Sequence, residues 1–240
     1  FVKLTSWNAN CKFRSKFNEV DVFGWDVLVI QECENPETSV DTAYTDWAEQ
    51  FHWVGRLSHK GLGLFLRPGL EAEEIVSNDR SNKYFINVKL SNGIQLLAVW
   101  TQADTQRSRG YIYMLWDYLK SNEDVLDWDN LVVVGDWNSN AQWDTKRKIG
   151  NHTDVCNLLH SRGLKSCYHH AANRPHGSEL EHTFFMHRNP EKPYHIDYMF
   201  APKRMMSADQ EMVIGDKEHW LALSDHLPIS YRLNAQVSGD

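Results

Sequence analysis

Five short polar motifs close apolar runs in this chain: Ser6-Trp7-Asn8, Gln31-Glu32, Gly135-Asp136-Trp137-Asn138, His195-Ile196-Asp197-Tyr198 and Ser224-Asp225-His226. Gathered at one place, they unite the carboxylates of Glu32, Asp136, Asp197 and Asp225 with the amides of Asn8 and Asn138 and the imidazole of His226. So many acids would repel one another unless a divalent cation and a phosphate shared the site. The chemistry to expect is metal-dependent attack on a phosphate ester.

Asp136 and Asn138 leave the run Leu131-Val132-Val133-Val134-Gly135, and strand alternation predicts that both project from the same side of its end. There an aspartate can orient or deprotonate water while an amide donates to a phosphoryl oxygen; an Asp/Asn turn after a strand is the plain structural reading. Glu32 ends Val27-Leu28-Val29-Ile30-Gln31, where a hard oxygen ligand for Mg²⁺ would be well placed. Asn8 follows the first strand in the same way, and in isolation would be a turn former. Asp225 and His226 are neighbours on an extended chain and point apart, so Asp197, a carboxylate inside an apolar strand, is the expected partner of His226. A structural Asp–His pair in the core is the alternative.

The elements that must carry these groups are legible as strands over Val2 to Trp7, Asp26 to Ile30, Tyr84 to Leu90, Ile94 to Trp100, Leu131 to Val134, Tyr194 to Phe200 and Leu227 to Leu233. Helical spacing recurs from Val40 to Phe51, from Ile112 to Leu119 and, closed by Gly163, from Val155 to Leu159. His59-Lys60-Gly61-Leu62-Gly63 reads as a tight turn into a strand Leu64 to Leu66, with Lys60 a substrate-contact candidate. Ser166 to His182, rich in His, Asn and Gly, reads as a long surface loop. Its His169, His170, His176 and His182 lack a motif such as HExxH and are expected at the surface or near substrate. A mixed α/β sandwich follows, its site on the rim where strand-end loops converge. With no linker or repeat visible and motifs spanning Asn8 to His226, residues 1–240 read as a single domain.

With 42% apolar and 12% aromatic residues among 240, the chain can bury a sizeable core. No apolar run approaches the roughly 18 residues needed to span a bilayer, and Phe1-Val2-Lys3-Leu4 lacks a signal-peptide layout. Cys11, Cys33, Cys156 and Cys167 form no CxxC pair, which fits a reducing, cytoplasmic setting better than a zinc ribbon or disulfide framework. No membrane and no obligate protein partner is indicated, so a monomer is expected. The net charge of −7 argues against a broad basic grip on duplex nucleic acid. Basic residues nevertheless follow the motifs: Lys12, Arg14 and Lys16; Arg107 and Arg109; Lys146, Arg147 and Lys148. If these loops share a rim they form a basic mouth; solvated loop charge is the simpler account. Of ten tryptophans, Trp7 and Trp137 read as core and Trp143 as a stacking surface for an unpaired base.

Taken together, the five motifs, in this order and over nearly the whole chain, resemble the endonuclease/exonuclease/phosphatase superfamily. The resemblance implies a deoxyribonuclease I-like α/β fold, a four-layer sandwich of two packed mixed β-sheets flanked by helices. It also implies that Glu32 and Asp225 hold Mg²⁺ or Mn²⁺, that Asp136 positions the attacking water, that Asn8 and Asn138 bind the phosphate, and that His226 is the catalytic histidine, paired with Asp197. In one departure, Gln102 stands where many members carry a His or Tyr, and an amide cannot transfer a proton. The expected activity is phosphodiester hydrolysis of nucleic acid by in-line attack of an activated water, with Lys60, Gln102, Arg109 and Trp143 as substrate contacts. Hydrolysis of a small phosphate ester or nucleotide, or a non-catalytic phosphate-binding scaffold of the same fold, are the alternatives.

Overall fold

The computed structural model describes residues 1–76, 84–103, 110–145, 148–207 and 210–234. Its strands are β1 (Val2–Asn8), β2 (Val27–Cys33), β3 (Phe51–Leu57), β4 (Lys60–Leu66), β5 (Ala72–Glu74), β6 (Phe85–Leu90), β7 (Gln95–Trp100), β8 (Leu131–Asp136), β9 (Leu164–Ser166), β10 (Phe184–Phe185), β11 (Pro193–Tyr194), β12 (Asp197–Pro202), β13 (Val213–Ile214) and β14 (Ile229–Leu233). Its α-helices are α1 (Thr42–Trp47), α2 (Tyr111–Ser121), α3 (His152–Ser161), α4 (Cys167–Ala172) and α5 (Lys217–Trp220). Two six-stranded sheets form, ordered β13-β14-β1-β2-β4-β3 and β5-β6-β7-β8-β12-β9. Each has one parallel pair near its centre, β1 with β2 and β7 with β8, among antiparallel neighbours.

Alternation within the apolar strands explains the layering. Val27 and Val29 of β2 face Val132 and Val134 of β8 in the core between the sheets, with Leu4, Leu62, Leu64, Val88 and Leu96. The opposite faces are apolar too, as expected for strands covered on both sides. Leu97, Val99, Leu131 and Val133 pack beneath α2 and α3, whereas Leu28, Ile30 and Phe65 pack beneath Phe13, Phe17, Tyr44 and Trp220. The second outer layer is mostly 3₁₀ turns and edge-on aromatic pairs, such as Trp7 against Trp220 at 4.9 Å. Four layers result. Among the described residues no helix is long and apolar enough to cross a membrane.

Three local expectations are corrected. The helix read from Val40 to Phe51 is only Thr42–Trp47: the Asp41 carboxylate accepts from Tyr44 N and starts the helix there, Val40 is exposed, and Phe51 already belongs to β3. The expected turn His59 to Gly63 is instead strand from Lys60 onward. Glycine is required there because a Cβ on Gly61 would lie 2.3 Å from the Trp53 ring that crosses it. Finally, Ser166 to His182 is no surface loop at its start: Ser166 caps α4, and Cys167 and Tyr168 are buried in the core.

The β8–β12 register sets Asp136 directly opposite Asp197, and the β7–β8 register sets Trp100 opposite Asp136. Gly135 sits between these constraints at φ 141°, where an added Cβ would lie 1.9 Å from the Val99 carbonyl oxygen. Gly135→Ala should therefore lower the unfolding free energy by about 2–4 kcal/mol. Urea denaturation with an unchanged m-value measures this, and a loss below about 1 kcal/mol would show that the strand shifts without strain.

Candidate active site

The buried centre of the site is a histidine between two carboxylates. Asp136 ends β8 and Asp197 begins β12, both almost wholly inaccessible. His226 arrives from the other sheet, just before β14, and its Nδ1 lies 2.9 Å from Asp197 Oδ2 while its Nε2 faces Asp136 Oδ2 across 4.0 Å. Asp197, not the adjacent Asp225, orients the ring. Asp136 Oδ2 also accepts from Asn8 Nδ2 at 2.9 Å and Asn138 Nδ2 at 3.0 Å, and its Oδ1 accepts from Asn138 N at 2.8 Å. Both amides thus point at Asp136. Asn138 gets there through a left-handed backbone (φ 46°), not through simple strand alternation.

Burial and charge set the protonation states. Burial raises the Asp136 pKa to about 7, with the neighbouring Asp197 charge adding to the rise and His226 and the Asn8 amide opposing it. For His226 burial opposes the charged ring, but Asp197 and Asp136 outweigh it and lift its pKa to about 9. Between these values the ring is an imidazolium beside an ionised Asp136, a geometry suited to proton transfer at both ends of a displacement.

The backbone around His226 is tightly fixed. Ser224 Oγ donates to Asn8 O at 2.7 Å and accepts from His226 N, and Trp7 Nε1 donates to His226 O at 3.0 Å. Thr183 Oγ1 accepts from Ile196 N and Asp197 N, and the Phe184 ring packs on the imidazole with centroids 4.6 Å apart. Thr101 donates through Oγ1 to Trp137 O and accepts from Asn138 Nδ2. Thr101, Thr183, Phe184 and Ser224 were not among the sequence candidates. Only Ser224 stood inside a motif, and the others carry no local signal.

Glu32 occupies a second, more open part of the cleft. It is the extra residue of a bulge in β2, where the register shifts between Gln31 and Cys33, and its φ of 61° re-aims the side chain. Glu32 Oε2 meets Lys60 Nζ at 3.0 Å and Cys11 Sγ at 3.5 Å. Lys60, at the start of β4, is therefore paired with Glu32, and Asp225 adds to the field on both Lys60 and His226. The donors are hard oxygens and one already holds an ammonium, which fits a small divalent cation. Glu32 and Asp225 fall in none of the tight groups of three His, Cys, Asp or Glu found among the described residues, whereas Asp136, Asp197 and His226 form one.

The other candidates scatter. Gln102 is half-buried just past Thr101; Trp143 is 48% exposed in a 640 Å³ groove that also contains Asn138, Tyr111 and Lys148. Arg109, with Arg107, Lys146 and Arg147, lies outside the described residues. The basic-mouth expectation fails for two residues: Arg14 is bound to Glu34 at 2.8 Å, and Lys16 donates to the carbonyls of Ala9 and Leu223.

No family model and no curated protein matches the sequence. The fold does match solved structures. The 3' phosphatase NExo from Neisseria, bound to a product DNA hairpin, superposes with a TM-score of 0.70 at 16% identity, over 98% of this chain and 100% of that one. An AP endonuclease from Archaeoglobus fulgidus gives 0.66 at 16% identity over 99% and 100%. Truncated Caenorhabditis elegans TDP2 gives 0.64 at 13% over 95% and 96%. The chain has the deoxyribonuclease I-like fold. On this deoxyribonuclease I-like sandwich the two sheets meet at the rim through Asn8 and His226 on one side and Asp136 and Asp197 on the other.

In an ¹⁵N-detected imidazole titration His226 should titrate near 9. In Asp197→Asn the ring loses one of its two main counter-charges while burial remains, so its pKa should fall from about 9. A pKa that stays near 9 would show that Asp197 does not hold the charge.

Proposed function

We propose that residues 1–240 form one domain that hydrolyses phosphodiester bonds of nucleic acid with the help of Mg²⁺ or Mn²⁺, in a cytoplasmic, monomeric protein. The observation that carries this reading is the 4.0 Å gap between His226 Nε2 and Asp136 Oδ2, with Asp197 behind the ring. Asp136 takes the proton of a water as its oxygen forms the new bond to phosphorus. His226 neutralises the phosphoryl charge and gives its proton to the departing oxygen as the opposite P–O bond breaks. A phosphomonoester and a free hydroxyl result. Glu32 and Asp225 would hold the cation, which when bound supplies positive charge to a phosphoryl oxygen. Gln102 can donate a hydrogen bond to substrate but no proton, which leaves the acid role to His226.

The groove beside Asn138 supports a nucleic acid strand as substrate. Trp143 and Tyr111 are 48% and 42% exposed there, next to Lys148, an arrangement suited to stacking unpaired bases beside a phosphate contact. The similar NExo structure holds a DNA hairpin. A small phosphate ester or nucleotide is the second reading, favoured by the internal engagement of Arg14 and Lys16, which leaves fewer cations for a long polyanion.

End-labelled single- and double-stranded DNA and RNA, incubated with Mg²⁺, Mn²⁺ or EDTA, test the reading on a gel. Metal-dependent cleavage should fall about 10²–10⁴-fold in Asp136→Asn and in His226→Ala. An intact polymer with folded wild-type protein would move the assignment to nucleotides and sugar phosphates. Trp143→Ala should weaken single-strand binding by about 1–3 kcal/mol, roughly 5–150-fold in Kd, by fluorescence anisotropy. Unchanged affinity would remove Trp143 from the substrate path.

A further inference from the structure

A second cluster of ligand-type side chains lies away from Glu32 and Asp225, on the far side of β12. Helix α3 carries His152 and Cys156 four residues apart, so they share one face, and the segment after α4 brings His176 onto that face. Cys156 Sγ lies 3.7 Å from His176 Nδ1, and one ligand atom from each of the three residues falls within 4.8 Å of the others. His152 is completely buried; its Nδ1 is engaged by Ser139 Oγ at 3.2 Å, and its Nε2 finds no hydrogen-bond partner. His176 Nε2 is likewise without one. A neutral ring packed as core would leave His152 Nε2 uncompensated, at a cost of about 1–3 kcal/mol.

We propose that His152, Cys156 and His176 bind a structural zinc ion, with the Glu179 carboxylate as the fourth ligand. Tetrahedral zinc places nitrogen and sulfur donors about 3.3–3.7 Å apart, a spacing that Cys156 Sγ and His176 Nδ1 already have. Glu179 reaches the cluster through His176: its ligand atom lies within 4.8 Å of those of His176 and His169, and its Oε1 meets His169 Nε2 at 3.0 Å. It already accepts from Asn140 Nδ2 at 3.1 Å and Gly177 N at 3.0 Å, bonds that orient a metal-bound carboxylate. The Ser139 contact does the same for the His152 ring. His152 Nε2, with no hydrogen-bond partner, has its lone pair available to an ion. Zinc binding releases one proton from the Cys156 thiol to solvent and leaves a thiolate on the metal. One thiolate and one carboxylate then balance the dication. The ion would tie α3 to the segment leading into Thr183 and, through Glu179 and Asn140, to the turn after Asn138.

The test measures bound metal and does not depend on the proposed hydrolytic activity. Full-length protein from zinc-supplemented cells, dialysed against metal-free buffer, should hold about one zinc per chain by elemental mass spectrometry, and so should Glu32→Gln. Cys156→Ser should lose it. Cobalt in place of zinc should give the thiolate-to-metal absorption band of a cysteine-ligated ion in the wild type and Glu32→Gln, and none in folded Cys156→Ser. Should Cys156→Ser fail to fold, the wild-type band decides, together with a Tm that drops on chelation and recovers on adding zinc. Metal-free wild type with a Tm indifferent to zinc overturns the proposal. So does zinc that Cys156→Ser retains and Glu32→Gln loses, which would place the ion in the hydrolytic cleft.

Discussion

An imidazolium held between two buried carboxylates is the interaction on which this architecture depends. Asp136 and Asp197 face each other across adjacent antiparallel strands, where two like charges would push the strands apart. His226 removes that conflict, and it comes from the opposite sheet. The same few ångströms that hold the chemistry therefore join the two halves of the sandwich, reinforced by Asn8 reaching from β1 to Asp136 and by Thr183, which fixes the start of β12. Removing one member of a buried charged set leaves the others uncompensated, typically at about 3–5 kcal/mol. Stability and reactivity thus share their residues, and neither can be altered alone at this point.

Much of this was legible because buried strands announce themselves. Runs such as Val27 to Ile30 and Leu131 to Val134 are apolar on both faces, and their polar ends mark where loops gather. That Asp197 would orient His226 followed from the divergence of adjacent side chains on an extended chain. What the sequence hid was conformation fixed by pairing: the bulge that turns Glu32 toward the cleft and the left-handed Asn138 depend on register with neighbouring strands. Composition misled in Ser166 to His182. Histidine rings pack flat, as those of His169 and His176 do with centroids 3.7 Å apart, so a polar-looking stretch became partly buried. The lysine at 16 misled in the other direction, because its ammonium caps carbonyls inside the protein.

The cleft also carries local strain. Asn10, Cys11 and Lys12 are all left-handed, directly after Asn8, and Glu32 and Asn138 share that conformation. Each non-glycine residue so placed costs about 1–2 kcal/mol. The surroundings hold them there: Asn10 N donates to Asn8 Oδ1, Arg14 is clamped to Glu34, and Lys16 links Ala9 O to Leu223 O. Contacts that look peripheral to the chemistry are what keep the Asn8 and Glu32 side chains aimed.

The pairing of β1 with β14 brings together residues as far apart in sequence as Thr5 and Ser230. Closing so long a chain is slow compared with forming the local hairpins, and a ribosome releases residues from the N-terminal end first. Asp136 and Asp197 are made before His226, yet they have no imidazolium to separate them until the chain beyond residue 226 has emerged and returned to β1. Until that return the two carboxylates face each other without their counter-charge, so the group that joins the two sheets is the last part of the site to be put in place.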